Sequence, residues 1–186
     1  MILIYILPGI RYKRCMSDAR ALQFDRLPVT ERLVLVTLRA RVDGGRGNAV
    51  ETLYRIACGL AWLESAMASF DAMAATLMAG ARRPIGIAAL ADARVACDER
   101  CLLALLAAHQ QAQRAQVEAR VRWLVRGAFR APLEEASGAF ARALDRSGRR
   151  LSPDWLQSAY RPPRTPVEFA EAPASHRSEA ARDWGV

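Results

Sequence analysis

The sequence predicts an all-α protein, an antiparallel bundle of about five helices packed around one long central helix. Three observations predict it. Apolar residues recur at steps of three and four along residues 49–79, helix-start signals precede several further leucine-rich stretches, and 52% of the 186 residues are hydrophobic. A chain of this length suits one folded domain with extensions.

The central helix is the clearest prediction. Asn48 followed by Glu51 has the form of a capping box, and Gly80 supplies a permissive residue at the far end. About thirty residues at 1.5 Å each make a rod of roughly 45 Å. Its apolar stripe, at the 3.5-residue repeat of helices that pack side by side, comprises Leu53, Ile56, Leu60, Leu63, Met67, Phe70, Ala74 and Leu77.

Residues 31–42 are predicted to form a first helix, with Thr30 as the N-cap and Glu31 in the first turn. The β-branched residues of this stretch leave a strand open by propensity alone. Residues 82–87 are predicted to be an extended connector because Pro84 disfavours helical angles before it.

Three more helices follow the connector. Asp98 and Glu99 open the first of them, a short break is expected near 111–114, and an amphipathic helix then covers about 117–128. Pro132 marks the start of the last helix and Gly148 its end.

The two ends of the chain differ from this 30–150 helical domain. Residues 1–15 are apolar first and basic afterwards, the reverse of a signal peptide, and the sequence restarts at Met16. We therefore expect residues 1–15 to be a non-native or mobile extension; the alternative is a short membrane-touching or edge-strand segment. Residues 16–29 form a lead-in. Residues 151–186, with five prolines from Ser152 onward, predict a disordered tail in which Trp155 and Trp184 are candidates to dock.

Charge and cysteine usage limit the class of protein. The net charge is +8, of which residues 1–150 contribute +9 (23 cations, 14 anions) and residues 151–186 contribute −1 (4 cations, 5 anions). A basic domain is compatible with nucleic acid or an anionic membrane as partner, although a solvated basic surface is the simpler interpretation.

Four cysteines without a framework spacing or a secretory signal predict a cytoplasmic protein, and no apolar run reaches the roughly 18 residues of a membrane span.

One part of the chain resembles a known group. The order Arg82-Arg83-Pro84, a short extended piece, then Asp98-Glu99-x-x-Leu102-Leu103-x-Leu105 resembles a set of small all-helical bacterial proteins without an assigned activity. The resemblance covers roughly residues 30–150. It implies a helical fold and carries no activity over to this chain.

The first predicted function is a non-enzymatic interaction or structural protein that self-associates, or binds another protein whose identity the sequence does not give. The stripe of the central helix is longer than four shorter helices can cover, which leaves apolar surface for a partner. The predicted contact residues are Leu53, Leu60, Leu63, Met67 and Phe70.

The second hypothesis is nucleic-acid binding without sequence preference. Arg122, Arg126 and Arg130 recur at every fourth residue and would form one basic face of the fourth helix. Glu118 would form an ordinary intrahelical ion pair with Arg122, so a solvated face is the competing interpretation.

Little material for catalysis or metal binding is present. Cys97 and Cys101 are four residues apart and suggest a metal- or redox-responsive site, but the usual zinc spacing is absent and His109 falls about 120° from Cys97 around one helix axis. Buried structural thiols are the simpler interpretation. The sequence contains no known catalytic motif. We therefore predict no metal, no cofactor and no enzymatic activity.

Overall fold

The computed structural model describes residues 22–43, 52, 55 and 59–157, without the side chains of 60, 61, 63 and 157. Within these ranges the protein is all-α, as predicted, and its ordered segments are helices joined by turns and extended connectors. Two isolated antiparallel bridges, Gln23 with Arg94 and Ala81 with Val125, are the β-type pairings of this part of the chain. The helices are α1 Val29–Val42, α2 Leu60–Gly80, α3 Cys97–Gln110, α4 Arg114–Leu124, α5 Arg130–Arg146 and α6 Asp154–Gln157.

Helix α1 confirms the predicted helix at 31–42 and rules out the strand alternative. It begins two residues early because Pro28, with φ −56° and ψ 159°, occupies the N-cap position. Thr30 is therefore inside the first turn, and the prediction that it caps the helix is wrong. Leu33, Val34 and Leu35 are buried, so the β-branched run packs against the core from a helix.

The prediction of one uninterrupted helix over 49–79 is wrong. Gly59 has φ +74° and ψ 163°, and α2 begins at the next residue. Thr52 and Arg55 are helical, and Gly59 N–H still donates to the Arg55 carbonyl at 3.1 Å. The chain therefore changes direction at Gly59, where the positive φ suits a residue without Cβ. The central helix that remains has 21 residues.

Helix α2 packs antiparallel to α5. The rings of Phe70 and Phe140 meet edge to face with centroids 5.5 Å apart, and Met73 and Leu77 are buried beside them. The C-terminus of α2 reaches the N-terminal end of α5, where a Cβ added at Gly80 would overlap the Phe129 side chain. A glycine at this position lets the two chain segments make their close contact.

Helix α3 is the most buried element, and every residue from Cys101 to Ala108 is inside the core. It ends at Gln110, Ala112 takes a left-handed φ of 53°, and α4 starts at Arg114. The predicted break near 111–114 is therefore confirmed.

The chain after α5 docks for one more turn. Leu151 and Trp155 are buried, so the helical domain extends at least to α6, and the disordered tail predicted from residue 151 starts too early. Trp184, Met16 and the Asn48–Glu51 capping box lie outside the described residues. No helix of the described part is both long and apolar enough to cross a membrane.

Candidate interaction surfaces and buried charge sites

The N-terminal end of α3 holds a buried ion pair. Arg39 of α1 contacts Glu99 through two hydrogen bonds, Nε to Oε1 at 2.7 Å and Nη2 to Oε2 at 2.9 Å, and both side chains are fully buried. Arg39 also donates to the carbonyls of Asp92 at 2.7 Å and Arg94 at 2.9 Å. Since these carbonyls belong to the connector, the pair fixes the extended segment between α2 and α3 against α1.

Glu99 accepts further hydrogen bonds from the connector backbone. Ala96 N–H donates to Oε2 at 2.8 Å and Ala88 N–H donates to Oε1 at 3.2 Å. The Arg39 guanidinium lies 4.8 Å from the centroid of the Phe24 ring, which covers its face. Both carboxylate oxygens of Glu99 therefore have partners, as a buried charge requires.

Asp98 repeats this arrangement nearer the surface. Its carboxylate accepts two hydrogen bonds from Arg83, at 2.5 and 2.7 Å, and one from Gly86 N–H at 2.7 Å. The Arg83 guanidinium lies 5.0 Å from the Trp123 ring centroid. The two acidic residues that the sequence offered as a helix start thus have a second role, because they hold the connector in place.

A buried carboxylate also lies at the other end of α3, but it has no cationic partner in the described part of the chain. Glu31 Oε1 accepts from Ser152 N–H at 2.8 Å and from Trp155 Nε1 at 3.1 Å, whereas Oε2 is buried without a hydrogen bond. Gln110 anchors the same segment by accepting from Leu151 N–H at 2.8 Å and donating to the Arg149 carbonyl at 2.9 Å. Together these bonds dock residues 149–155.

The predicted contact residues of the central helix divide into three groups. Phe70 is buried within this chain, and Met67 is partly buried against the same core. Leu53 and the side chains of Leu60 and Leu63 lie outside the described part. The stripe that the sequence presented for a partner is thus, as far as it is described, the stripe by which α2 packs on α5.

The opposite side of α2 is exposed and carries small residues. We call it the α2 outer face. Its members recur at steps of three and four: Ser65, Ala68, Ala72, Ala75 and Ala79. A sequence pattern built on the larger apolar side chains does not include them. Met78, about half exposed, lies at the edge of this face. At 100° per residue the centre of the face is roughly opposite the Phe70–Leu77 side.

The predicted arginine stripe is not one helix face. Helix α4 ends at Leu124, Val125 is extended with φ −128° and ψ 159°, and α5 begins only at Arg130. Arg122 is on α4, Arg126 follows it in the connector, and Arg130 opens the next helix. Arg82, which the prediction did not include, lies across from Arg122 and donates to its carbonyl at 3.0 Å. The arginines that gather here follow from the Ala81–Val125 bridge, a long-range pairing with no local sequence signal.

The two cysteines of α3 do not bond to each other. Cys101 is a free, fully buried thiol whose pKa is raised to about 12, first by burial and then by the Asp98 charge. Cys97 is disulfide-bonded, so it is not the free structural thiol that the sequence predicts. A thiol with this pKa is not a ready nucleophile or metal ligand, and no group of three or more potential metal ligands occurs in the described part.

His109 is held between α3 and α5. Its Nε2 lies 2.9 Å from Ser137 Oγ, and that hydroxyl donates to the Leu133 carbonyl at 2.6 Å, so Nε2 carries the proton. Burial, followed by the charge of Arg142, lowers the pKa of His109 to about 4. Ser137 is fully buried and its proton is committed to a backbone carbonyl, so this pair has the packing of a structural contact rather than of a nucleophile and base.

Comparisons with protein-family models, with curated proteins and with solved structures found no match to this chain. The resemblance of residues 30–150 to small helical bacterial proteins therefore stays a prediction.

Proposed function

We propose that this protein is a non-enzymatic helical interaction protein that self-associates through the α2 outer face. The observation that carries the proposal is the composition of α2. Its 21 residues include Glu64 and Asp71 as the only charged side chains, although one side of the helix is exposed. A helix that is apolar all round is normally buried on all sides.

The spacing of the outer face supports a second helix as the occupant. Its small residues, from Ser65 to Ala79, recur at steps of three and four, which is the repeat of a seam between two helices lying side by side. Small side chains allow close approach of the two backbones, and the interaxial distance of packed helices, about 8–10 Å, depends on the side chains at the contact.

A second copy of the chain fits this face better than a charged partner. In a two-fold interface the same patch is used twice, so an uncharged patch is self-complementary. The centre of the face is near Ala72, which would bring the two copies of Asp71 towards the axis. Arg41 of α1 lies 3.2 Å from Asp71 and balances its charge, so the approach of two such carboxylates is less unfavourable.

Light scattering at several concentrations tests the proposal. Dimers have twice the 20.5 kDa mass of one chain, or 41 kDa. Ala72→Arg places a long cation at the centre of the face, and we expect the dimer dissociation constant to rise by at least about tenfold, or 1.4 kcal/mol. Ala119→Arg is the matched control, since Ala119 is an exposed alanine in the middle of α4.

Two results would contradict the proposal. One is a particle of 20.5 kDa at every concentration reached, and the other is a dimer that Ala72→Arg and Ala119→Arg leave equally intact. Far-UV circular dichroism of both variants confirms that they are folded. A cytoplasmic location, and a protein partner other than a second copy, stay predictions from the sequence.

A further inference from the structure

The ends of α2 and α4 form a rigid junction on the surface of the bundle. Arg82 N–H donates to the Leu124 carbonyl at 3.1 Å and Arg126 N–H donates to the Gly80 carbonyl at 2.8 Å. These two bonds flank the Ala81–Val125 bridge. The backbone that carries both arginines is therefore fixed from two sides.

The side chains of these arginines are fixed as well, because each one caps the other's helix. Arg82 Nη1 donates to the carbonyl of Arg122, in the last turn of α4, at 3.0 Å. Arg126 Nη2 donates to the carbonyl of Ala79, in the last turn of α2, at 3.1 Å. One hydrogen bond each leaves four of the five guanidinium donors of Arg82 and of Arg126 for solvent or a ligand.

Charge at this junction is not balanced. Arg82 and Arg126 are exposed and have no carboxylate within 4.0 Å among the described residues. Arg122 lies 3.5 Å from Glu118, but Glu118 also pairs with Arg114 at 3.1 Å. A carboxylate shared between two arginines neutralises neither of them fully.

The position of Arg130 is not explained by any contact that stabilises the fold. It is exposed, it opens α5, and its side chain makes no hydrogen bond or ion pair within the described ranges. A cation at a helix N-terminus opposes the helix dipole, which favours anions there. Helix capping accounts for Arg82 and Arg126, whereas a bound anion would account for Arg130 as well. Glu134, one turn further along α5, is the nearest acidic residue of that helix.

We propose that Arg82, Arg122, Arg126 and Arg130, here called the arginine corner, bind the phosphate groups of a double-stranded nucleic acid without reading its sequence. Guanidinium groups suit phosphate because their donors form a planar fork that contacts two oxygens at once. Duplex is favoured over single strand because the aromatic rings nearest the corner, Trp123 and Phe129, are half-buried and occupied by Arg83 and Gly80 rather than open to stacking bases.

The experiment is fluorescence anisotropy with a labelled mixed-sequence DNA duplex, repeated between 50 and 200 mM salt. With three to four phosphate contacts, each contributing a slope of about −0.9 to log K against log salt, affinity falls by roughly 40- to 150-fold over this range. The triple variant Arg82→Gln, Arg126→Gln, Arg130→Gln is expected to lose most of the slope.

Two further variants separate the arginine corner from net charge and from folding. Arg94→Gln, Arg146→Gln, Arg150→Gln removes three exposed charges elsewhere, two of which pair with Asp92 and Asp145, and we expect it to keep the slope. Arg130→Gln alone removes no described contact and is expected to reduce the slope by about one. That variant decides the question if the triple variant does not fold.

Three outcomes would overturn the proposal. In the first, the two triple variants lose affinity equally, which indicates net charge alone. In the second, Arg130→Gln leaves the slope unchanged. In the third, the corner variant still binds duplex normally but no longer binds vesicles containing phosphatidylserine, which would assign the site to a membrane surface. None of these outcomes depends on the dimer mass measured by light scattering. Failure of the self-association proposal can therefore be distinguished from failure of the nucleic-acid proposal.

Discussion

A buried carboxylate lies at each end of α3, but only one of the two has a matching cation. At the N-terminal end, Glu99 receives two hydrogen bonds from Arg39 and two more from backbone N–H groups. At the C-terminal end, Glu31 receives hydrogen bonds through Oε1 alone, and its Oε2 is buried without one. Both side chains are fully buried.

The contrast shows why buried charge alone is a poor guide to stability. A buried pair with every donor and acceptor satisfied fixes two elements against each other, and removing one partner leaves an uncompensated charge. A buried carboxylate without a cation carries most of the desolvation cost and little of the compensation. The N-terminal end of α3 is therefore expected to be the stronger attachment, and the C-terminal end the weaker one.

The largest effect should come from breaking the stronger end. Glu99→Gln keeps the size of the side chain but removes the negative charge beside Arg39. It also replaces one accepting oxygen by an NH2 group, which cannot accept the hydrogen bonds that the carboxylate accepts. We expect the free energy of unfolding to fall by about 3–5 kcal/mol. Chemical denaturation measures it. The matched control is Glu118→Gln, a half-buried glutamate in surface ion pairs, for which we expect a change within about 1 kcal/mol. Equal losses in the two variants would contradict the assignment.

A pH titration of stability probes the weaker end through His109, which is one residue from Gln110. Because the pKa of His109 is about 4 in the folded chain and 6.5 is the ordinary value, the unfolded chain binds this proton first as pH falls. Stability is fully present above pH 6.5 and decreases between 6.5 and 4. At 1.36 kcal/mol per pKa unit, and reduced because solvent screens a half-buried ring, the loss is about 1–2 kcal/mol.

Subtracting the same curve for His109→Gln isolates this contribution, since carboxylates titrate alike in both proteins. Glutamine can still donate to Ser137 and does not titrate. The stability of the histidine protein relative to the glutamine variant should therefore fall as the pH is lowered from 6.5 to 4, and it should stay constant above 6.5. Parallel curves over the whole range would show that the histidine proton is not linked to folding.

The smallest effect, and the most diagnostic, is expected from Glu31→Gln. The glutamine oxygen can accept from Ser152 and Trp155 as the carboxylate does, while the buried charge is removed. We expect the free energy of unfolding to stay unchanged or to rise by up to about 1 kcal/mol, against the large loss for Glu99→Gln. The same chemical change would thus have opposite consequences for the two buried carboxylates. A loss of more than about 1 kcal/mol at Glu31 would remove the contrast.

Local signals in the sequence were sufficient for most of the helices. The acidic pair Asp98 and Glu99, the polar break after Gln110 and the glycine at 148 each mark an element boundary in the structure. The boundary at Gly59 was missed because the apolar repeat continues across it, and periodicity outweighed a single glycine. Its positive φ is set by how the flanking segments pack, which a periodic pattern does not encode.

Charged contacts between distant parts of the chain were beyond prediction. Arg39 and Glu99 are sixty residues apart, and each alone looks like an ordinary charge at the end of an amphipathic helix. The sequence predicts three members of the arginine corner, Arg122, Arg126 and Arg130, but places them on one helix face, which the structure does not show. Val125 leaves the helix to pair with Ala81, and only that pairing brings Arg82 to Arg122.

The burial of Cys101 has a practical consequence. Its thiol is fully buried, so an alkylating reagent can reach it only when this part of the bundle opens, and its raised pKa slows the reaction further. Peptide mapping can follow Cys101 separately from the other cysteines. The modification rate of this one side chain then reports how often the interior of the protein opens, without any engineered label.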